Sequence, residues 1–189
     1  MEQKYILKNC KSFKVKDIFD CGQCFRWNEE NDESYTGIFG RNVLNVKESG
    51  EDIVFEGICD GNIEEVCKNY FDLDRNYEEI KRNLSNVDEN LKEAIKYGGG
   101  IRILNQDLWE MIISFIISAN NNIPRIKGII DRISAKYGHK IEFRGKEFYT
   151  FPTVEELSKA SKQDFRDLGA GFRDKYIYET TLMINNKIV

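Results

Sequence analysis

The sequence predicts an α+β protein, with an N-terminal antiparallel twisted sheet and helices followed by a purely helical part. Three observations carry that expectation. Apolar and polar residues alternate in short runs through the first 60 or so positions. From Ile63 the apolar spacing becomes helical. Gly98-Gly99-Gly100 then separates an acidic half from a mildly basic one.

Taken in order, residues 5–7, 13–15, 24–27, 35–39, 43–46 and 53–55 read as strands, joined by polar turns at 28–33 and 48–52. Ile63, Val66 and Tyr70 start the helical spacing, which Tyr77, Ile80, Leu84, Leu91 and Ile95 continue. The flexible glycines place a boundary between a 1–99 domain and a 100–189 domain. Beyond it only helices are expected. Asn105 and Asp107 can cap a helix through Trp109, Ile112, Ile113, Phe115 and Ile116. The next starts near Asn122 or Ile123 and tolerates Pro124 in its first turn. Thr153 and Glu156 have capping-box spacing, and residues 161–168 and 172–185 form the last two helices.

A chain of 189 residues with 41% hydrophobic and 12% aromatic content supports a folded core. The longest apolar run, residues 111–119, is too short and too interrupted by serine to span a bilayer. The start, Met1-Glu2-Gln3-Lys4, lacks a signal peptide's apolar core, so a cytoplasmic location is expected. Five cysteines, an odd count, fit reduced thiols in that compartment. Cys21 and Cys24 form a C-x-x-C without a second pair, and His139 is the only histidine, so a metal or redox role ranks last. Neither metal nor cofactor is expected. The net charge of −4 divides into −7 over residues 1–100 (14 basic, 21 acidic) and +3 over 101–189 (14 basic, 11 acidic). An anionic partner would therefore touch mainly the second half, through local patches.

Three constellations could carry chemistry. Asn120-Asn121-Asn122 with Arg125 follows an apolar helix and offers planar donors suited to a base edge. Its plain alternative is that the asparagines end one helix and cap the next. Leu168-Gly169-Ala170-Gly171-Phe172-Arg173 could leave backbone N–H groups free for phosphate, with Phe172 and Arg173 at the surface. The alternative is a helical corner with Phe172 in the core. In Cys21-Gly22-Gln23-Cys24-Phe25-Arg26-Trp27, glycine lets its carbonyl approach a ligand closely, or simply makes a tight turn.

Together, G-Q-C-F-R-W, the run from Gly100 to Ile130 and L-G-A-G-F-R-D-K-Y-I resemble the 8-oxoguanine DNA glycosylase family of the helix-hairpin-helix superfamily. Tyr70-Phe71-Asp72-Leu73-Asp74 and Phe151-Pro152-Thr153 fall in that family's order, so the resemblance covers essentially the whole chain. It implies a TATA-binding-protein-like N-terminal sheet domain and the first part of an all-α helix-hairpin-helix glycosylase domain. It implies base-excision repair by a monomer on double-stranded, nucleoid DNA: extrusion of 8-oxoguanine opposite cytosine, excision, and strand cleavage by β-elimination. By the resemblance, the Gly22 carbonyl accepts the N7–H that guanine lacks, and Phe25 lies against the extruded base. Asn120 fills the vacated space beside Asn121, Arg125 and Arg173 donate to the estranged cytosine, and Phe172 wedges beside it where the family commonly has tyrosine. Cys24 stands where a serine is familiar.

The family's nucleophile is a lysine in the hairpin, assisted by a later aspartate, and the resemblance places both downstream of Val189. Two positions after the second glycine of Gly169-Ala170-Gly171 stands Arg173, which forms no Schiff base, so Lys175 is not expected to serve. Residues 1–189 alone are expected to be catalytically inactive. The alternative from another class is a DNA-binding module without catalysis.

Overall fold

The structure, a computed structural model, describes residues 1–187. Two compact units emerge: residues 1–37 with 42–105, and residues 38–41 with the chain from Gln106 onward. Positions 188 and 189, the end of the expected helical part, lie outside the described residues.

In the first unit, β1 (Gln3–Leu7), α1 (Val15–Phe19), β2 (Trp27–Glu29), β3 (Tyr35–Phe39), β4 (Asn42–Ser49) and β5 (Asp52–Ile58) precede three helices. The strands form an antiparallel five-stranded sheet in the order β1-β5-β4-β3-β2. On β5 every second residue from Ile53 is buried, as a sheet with one covered face requires. Phe13, Phe19, Trp27, Phe55 and Phe71 pack over that face, Phe19 and Trp27 stacking with centroids 4.1 Å apart. The Trp27 ring crosses Gly37, where any Cβ would lie 2.3 Å from it; only glycine fits there. The helices α2 (Ile63–Tyr70), α3 (Tyr77–Ser85) and α4 (Glu89–Tyr97) are each N-capped by an Asn or Asp side chain, at Asn62, Asn76 and Asp88.

Two strand expectations fail here. Residues 13–15 start no strand: Val15, Ile18 and Phe19 bury one face of α1 at helical spacing, and the Val15 N–H donates to Glu48 Oε1 at 2.9 Å. Only Trp27 of residues 24–27 joins the sheet, because the chain before it turns about a side chain, Gln23.

The boundary also moves. Gly98-Gly99-Gly100 ends α4, but the chain continues on the first unit to Asn105. Gly100 exchanges bonds with Lys14 and Asp17, and the Asn105 N–H donates to Tyr70 O at 2.9 Å. Between them Arg102, 3% exposed, donates Nε to Phe71 O at 2.9 Å and Nη2 to Asp72 O, with its guanidinium 4.0 Å above the Tyr77 ring. Burial lowers its pKa below the ordinary arginine value. Flexibility at three glycines is local, whereas these bonds decide where the unit ends.

The second unit contains α5 (Leu108–Ser118), α6 (Ile123–Tyr137), β6 (Lys140–Phe143), β7 (Lys146–Tyr149), α7 (Val154–Leu157), α8 (Lys162–Asp167), a 3-10 turn (Gly171–Arg173) and α9 (Asp174–Asn185). Asp107 caps α5, Asn122 caps α6 with Pro124 in its first turn, and Thr153 with Glu156 forms a capping box on α7. Ile113, Ile117, Ile126, Ile129, Ile130, Ile133, Phe165 and Ile177 make the core. The expectation of helices alone is overturned by the β6–β7 hairpin, whose central Arg144 and Gly145 both have positive φ (50° and 73°). Among the described residues no helix is long and apolar enough to cross a membrane.

Arg102→Met should lower unfolding free energy by about 1–3 kcal/mol in urea denaturation, since it strands the buried Phe71 carbonyl and removes one of the two donors to Asp72 O. A loss below about 0.5 kcal/mol would show that Arg102 does not hold the 100–105 segment.

Candidate functional site

The turn from α5 to α6 divides three consecutive carboxamides among three tasks. Asn121 donates Nδ2 to Ile117 O at 3.0 Å, closing the end of α5. Asn122 accepts the Arg125 N–H at 3.0 Å as the N-cap of α6. Asn120 sits between them with φ 49°, a left-handed conformation that asparagine tolerates. Its carboxamide makes no hydrogen bond among the described residues and is exposed. The capping reading thus accounts for two of the three asparagines.

The second turn, from α8 to α9, corrects an expectation. Its first two amides are not free for phosphate: Gly169 N–H donates to Arg166 O and Ala170 N–H to Phe165 O, both at 3.0 Å. This is a Schellman ending, with Gly169 at φ 91° as the left-handed residue. Phe172 emerges 59% exposed, but Arg173 does not share its position at the surface. Only 2% exposed, Arg173 points inward because the 3-10 turn rotates successive side chains to different sides.

The Arg173 guanidinium joins the two turns. Nε and Nη2 donate to Ala119 O at 2.9 and 2.5 Å, Nη2 also to Asn120 O at 2.7 Å, and Nη1 to Ala170 O at 3.3 Å. Its carbon lies 4.4 Å from the Phe172 ring centroid. Arg125, exposed, makes one long contact from Nη2 to Gly169 O at 3.4 Å. Burial first, and the neighbouring Arg125 charge second, lower the Arg173 pKa below its ordinary value. A third arginine, Arg132, donates Nε to Leu168 O at 2.8 Å. The sequence reading missed it, although its position seven residues after Arg125 puts both on one face of α6. None of the three is ion-paired among the described residues: carbonyl dipoles face the buried Arg173, while the exposed Arg125 and Arg132 also meet solvent. Asn120, Arg125, Phe172 and Arg173 are brought together; Asn121 adjoins them with its amide committed.

Gly22 and Phe25 belong to the first unit. Gly22 is exposed with φ 84°, and an added Cβ would meet nothing within 4 Å, so conformation and not space demands glycine. Its neighbour Gln23, also missed from sequence, fixes the loop. Nε2 donates to Ile18 O and Arg102 O at 3.0 and 2.8 Å, while Oε1 accepts the Leu104 N–H at 3.0 Å. Phe25 is buried beside Cys24, whose thiol approaches Phe19 O.

Residues 5–112 match the model of the 8-oxoguanine DNA glycosylase N-terminal domain. The chain belongs to the 8-oxoguanine DNA glycosylase family. A crystal structure of apo Clostridium acetobutylicum 8-oxoguanine glycosylase/lyase superposes with a TM-score of 0.94 at 46% identity, covering 100% of this chain and 67% of that one. The same organism's enzyme in complex with dsDNA containing cytosine opposite 8-oxoG gives 0.93 at 46% identity, covering 100% and 66%. The Saccharomyces cerevisiae N-glycosylase/DNA lyase is 34% identical over 189 residues, covering 92% of this chain and 50% of its own. The chain spans about half the length of the curated relatives it matches. The family carries the expected fold class, an antiparallel sheet with helices followed by the helical part of a glycosylase domain.

Phe172→Ala should leave stability within about 0.5 kcal/mol, because the ring is exposed, while weakening binding to duplex DNA. Urea denaturation and fluorescence anisotropy read the two effects; an unchanged affinity would remove Phe172 from the interface.

Proposed function

We propose that this chain is the DNA-reading portion of an 8-oxoguanine DNA glycosylase/lyase, a monomeric enzyme of base-excision repair that removes oxidised guanine opposite cytosine. The observation that carries this reading is the pairing of an unengaged Asn120 carboxamide with the Arg125 guanidinium and the exposed Phe172 ring on two adjoining turns. The likeness to a bacterial enzyme seen on dsDNA with cytosine opposite 8-oxoG adds support.

In this reading Phe172 wedges into the stack as the lesion leaves it, and Asn120 occupies the space vacated. Arg125 donates to the acceptor edge of the orphaned cytosine. The Gly22 carbonyl, unshielded by a side chain, accepts the N7–H of the lesion, and Phe25 faces the base. Guanine offers an acceptor at N7, so the two carbonyl and nitrogen lone pairs oppose each other and guanine is refused. Action on chromosomal DNA places the protein with the nucleoid in the cytoplasm.

The excision step needs a lysine amine that displaces the base at the sugar C1′ and then holds the sugar as a Schiff base for β-elimination. Residues 1–187 offer no such group at the second turn. Arg173 holds the position two after Gly171, and the Lys175 ammonium lies in solvent 3.8 Å from Glu179, not in a desolvated pocket.

Anisotropy with 8-oxoguanine:cytosine and guanine:cytosine duplexes at about 50 and 200 mM salt tests the recognition. A lesion preference of about tenfold that survives the higher salt is expected. Equal affinities with one common salt slope would reduce the chain to a plain duplex-binding module. Borohydride should trap no adduct on lesion DNA; an adduct abolished by Lys175→Met would assign the nucleophile to this chain.

A further inference from the structure

We propose that Arg173 is a positioning residue that sets the conformation of Asn120 before DNA arrives. This inference rests on the DNA-recognition reading of Asn120. A guanidinium has five N–H donors in one plane, and the Arg173 fork places Nε, Nη1 and Nη2 on the carbonyls of Ala119, Asn120 and Ala170. Ala119 and Asn120 follow the last turn of α5, where carbonyls have lost their helical partners and the helix dipole is negative. Arg173 supplies both the hydrogen bonds and the compensating charge.

The consequence falls on Asn120. Its φ of 49° lies in a region that asparagine visits at a cost, and a visited conformation persists only where neighbours over-determine it. The fork grips the carbonyl of Asn120 and that of the residue before it, so the peptide plane entering Asn120 and the one leaving it are both fixed. That leaves the Asn120 side chain exposed and, among the described residues, without a hydrogen-bond partner. Arg125 stands differently: it is exposed and keeps most of its donors for solvent or a ligand. Two guanidiniums in one place thus divide the work, one inward on the backbone and one outward.

The test uses this chain with Arg173→Lys and Arg173→Ala. Lysine keeps the charge but cannot span two carbonyls with a planar fork, and it guards against the case in which alanine prevents folding. The first readout is the backbone 13C and amide shift of Asn120 in the DNA-free protein. In the lysine variant these should leave their left-handed values while the shifts of β4 and β5 stay in place. An Asn120 shift that does not move would overturn the proposal.

The second readout is a double-mutant cycle on lesion-duplex affinity. Asn120→Ala should weaken binding about tenfold in the parent chain. In the Arg173→Lys background it should add less than about twofold, because Asn120 is no longer aimed. A full, additive loss in that background would overturn the positioning role, even with a moved shift. If the parent chain shows no preference for the lesion, the recognition reading fails, and the shift of Asn120 still decides whether Arg173 sets its conformation.

Discussion

Both units depend on the same interaction: a guanidinium buried on main-chain carbonyls at a helix end or a turn. Helix ends and turns leave such carbonyls unserved, and each one buried without a donor costs about 1–3 kcal/mol. Arg102 meets that of Phe71 after α2 and adds a donor to Asp72 O; Arg173 meets those of Ala119 and Asn120 and adds a donor to Ala170 O. A planar fork suits this task better than an ammonium, since its donors are fixed in direction and weakly hydrated. The charge is held against dipoles and not against carboxylates. Removing Arg173 would therefore leave two carbonyls unserved at once, and removing Arg102 the buried one of Phe71.

In the second unit this arrangement frames the candidate site. The same two turns that Arg173 joins carry Asn120, Arg125 and Phe172. Capping uses up Asn121 and Asn122, the Schellman ending uses up the amides of Gly169 and Ala170, and what is left unsatisfied is what can face a ligand. Satisfied groups make the frame rigid, and the few unengaged ones gain a defined direction from it. Among the described residues Arg125 and Arg132 carry positive charge with no ion-paired acid, which favours an anionic partner at short range even in a chain of net charge −4.

Much of this could be read from the residues. The short apolar runs bounded by turns in residues 35–58, alternating in burial on β5, and the helical spacing from Ile63 onward located the sheet and its helices. Thr153 with Glu156 and Asn122 before Pro124 marked two helix starts through local bonds alone. Residues 13–15 were misread because Val15 alternates with Lys14 as a strand would, while its true spacing partners, Ile18 and Phe19, lie beyond so short a window. The β6–β7 hairpin escaped because Arg144-Gly145 is a weaker turn signal than Asn-Gly or Asp-Gly, despite alternation on either side.

By itself the sequence determined the fold class and the family, and it named candidate residues without Arg132 and Gln23, since these readings rest on local spacing and on motifs kept in order. Tertiary structure alone decided which donor points where. It buried Arg173, left Arg125 in solvent and extended the first unit to Asn105. The physical reason is that a side chain's partners are carbonyls tens of residues away. Arg173 reaches Ala119 across 54 positions, and no window along the chain contains that bond.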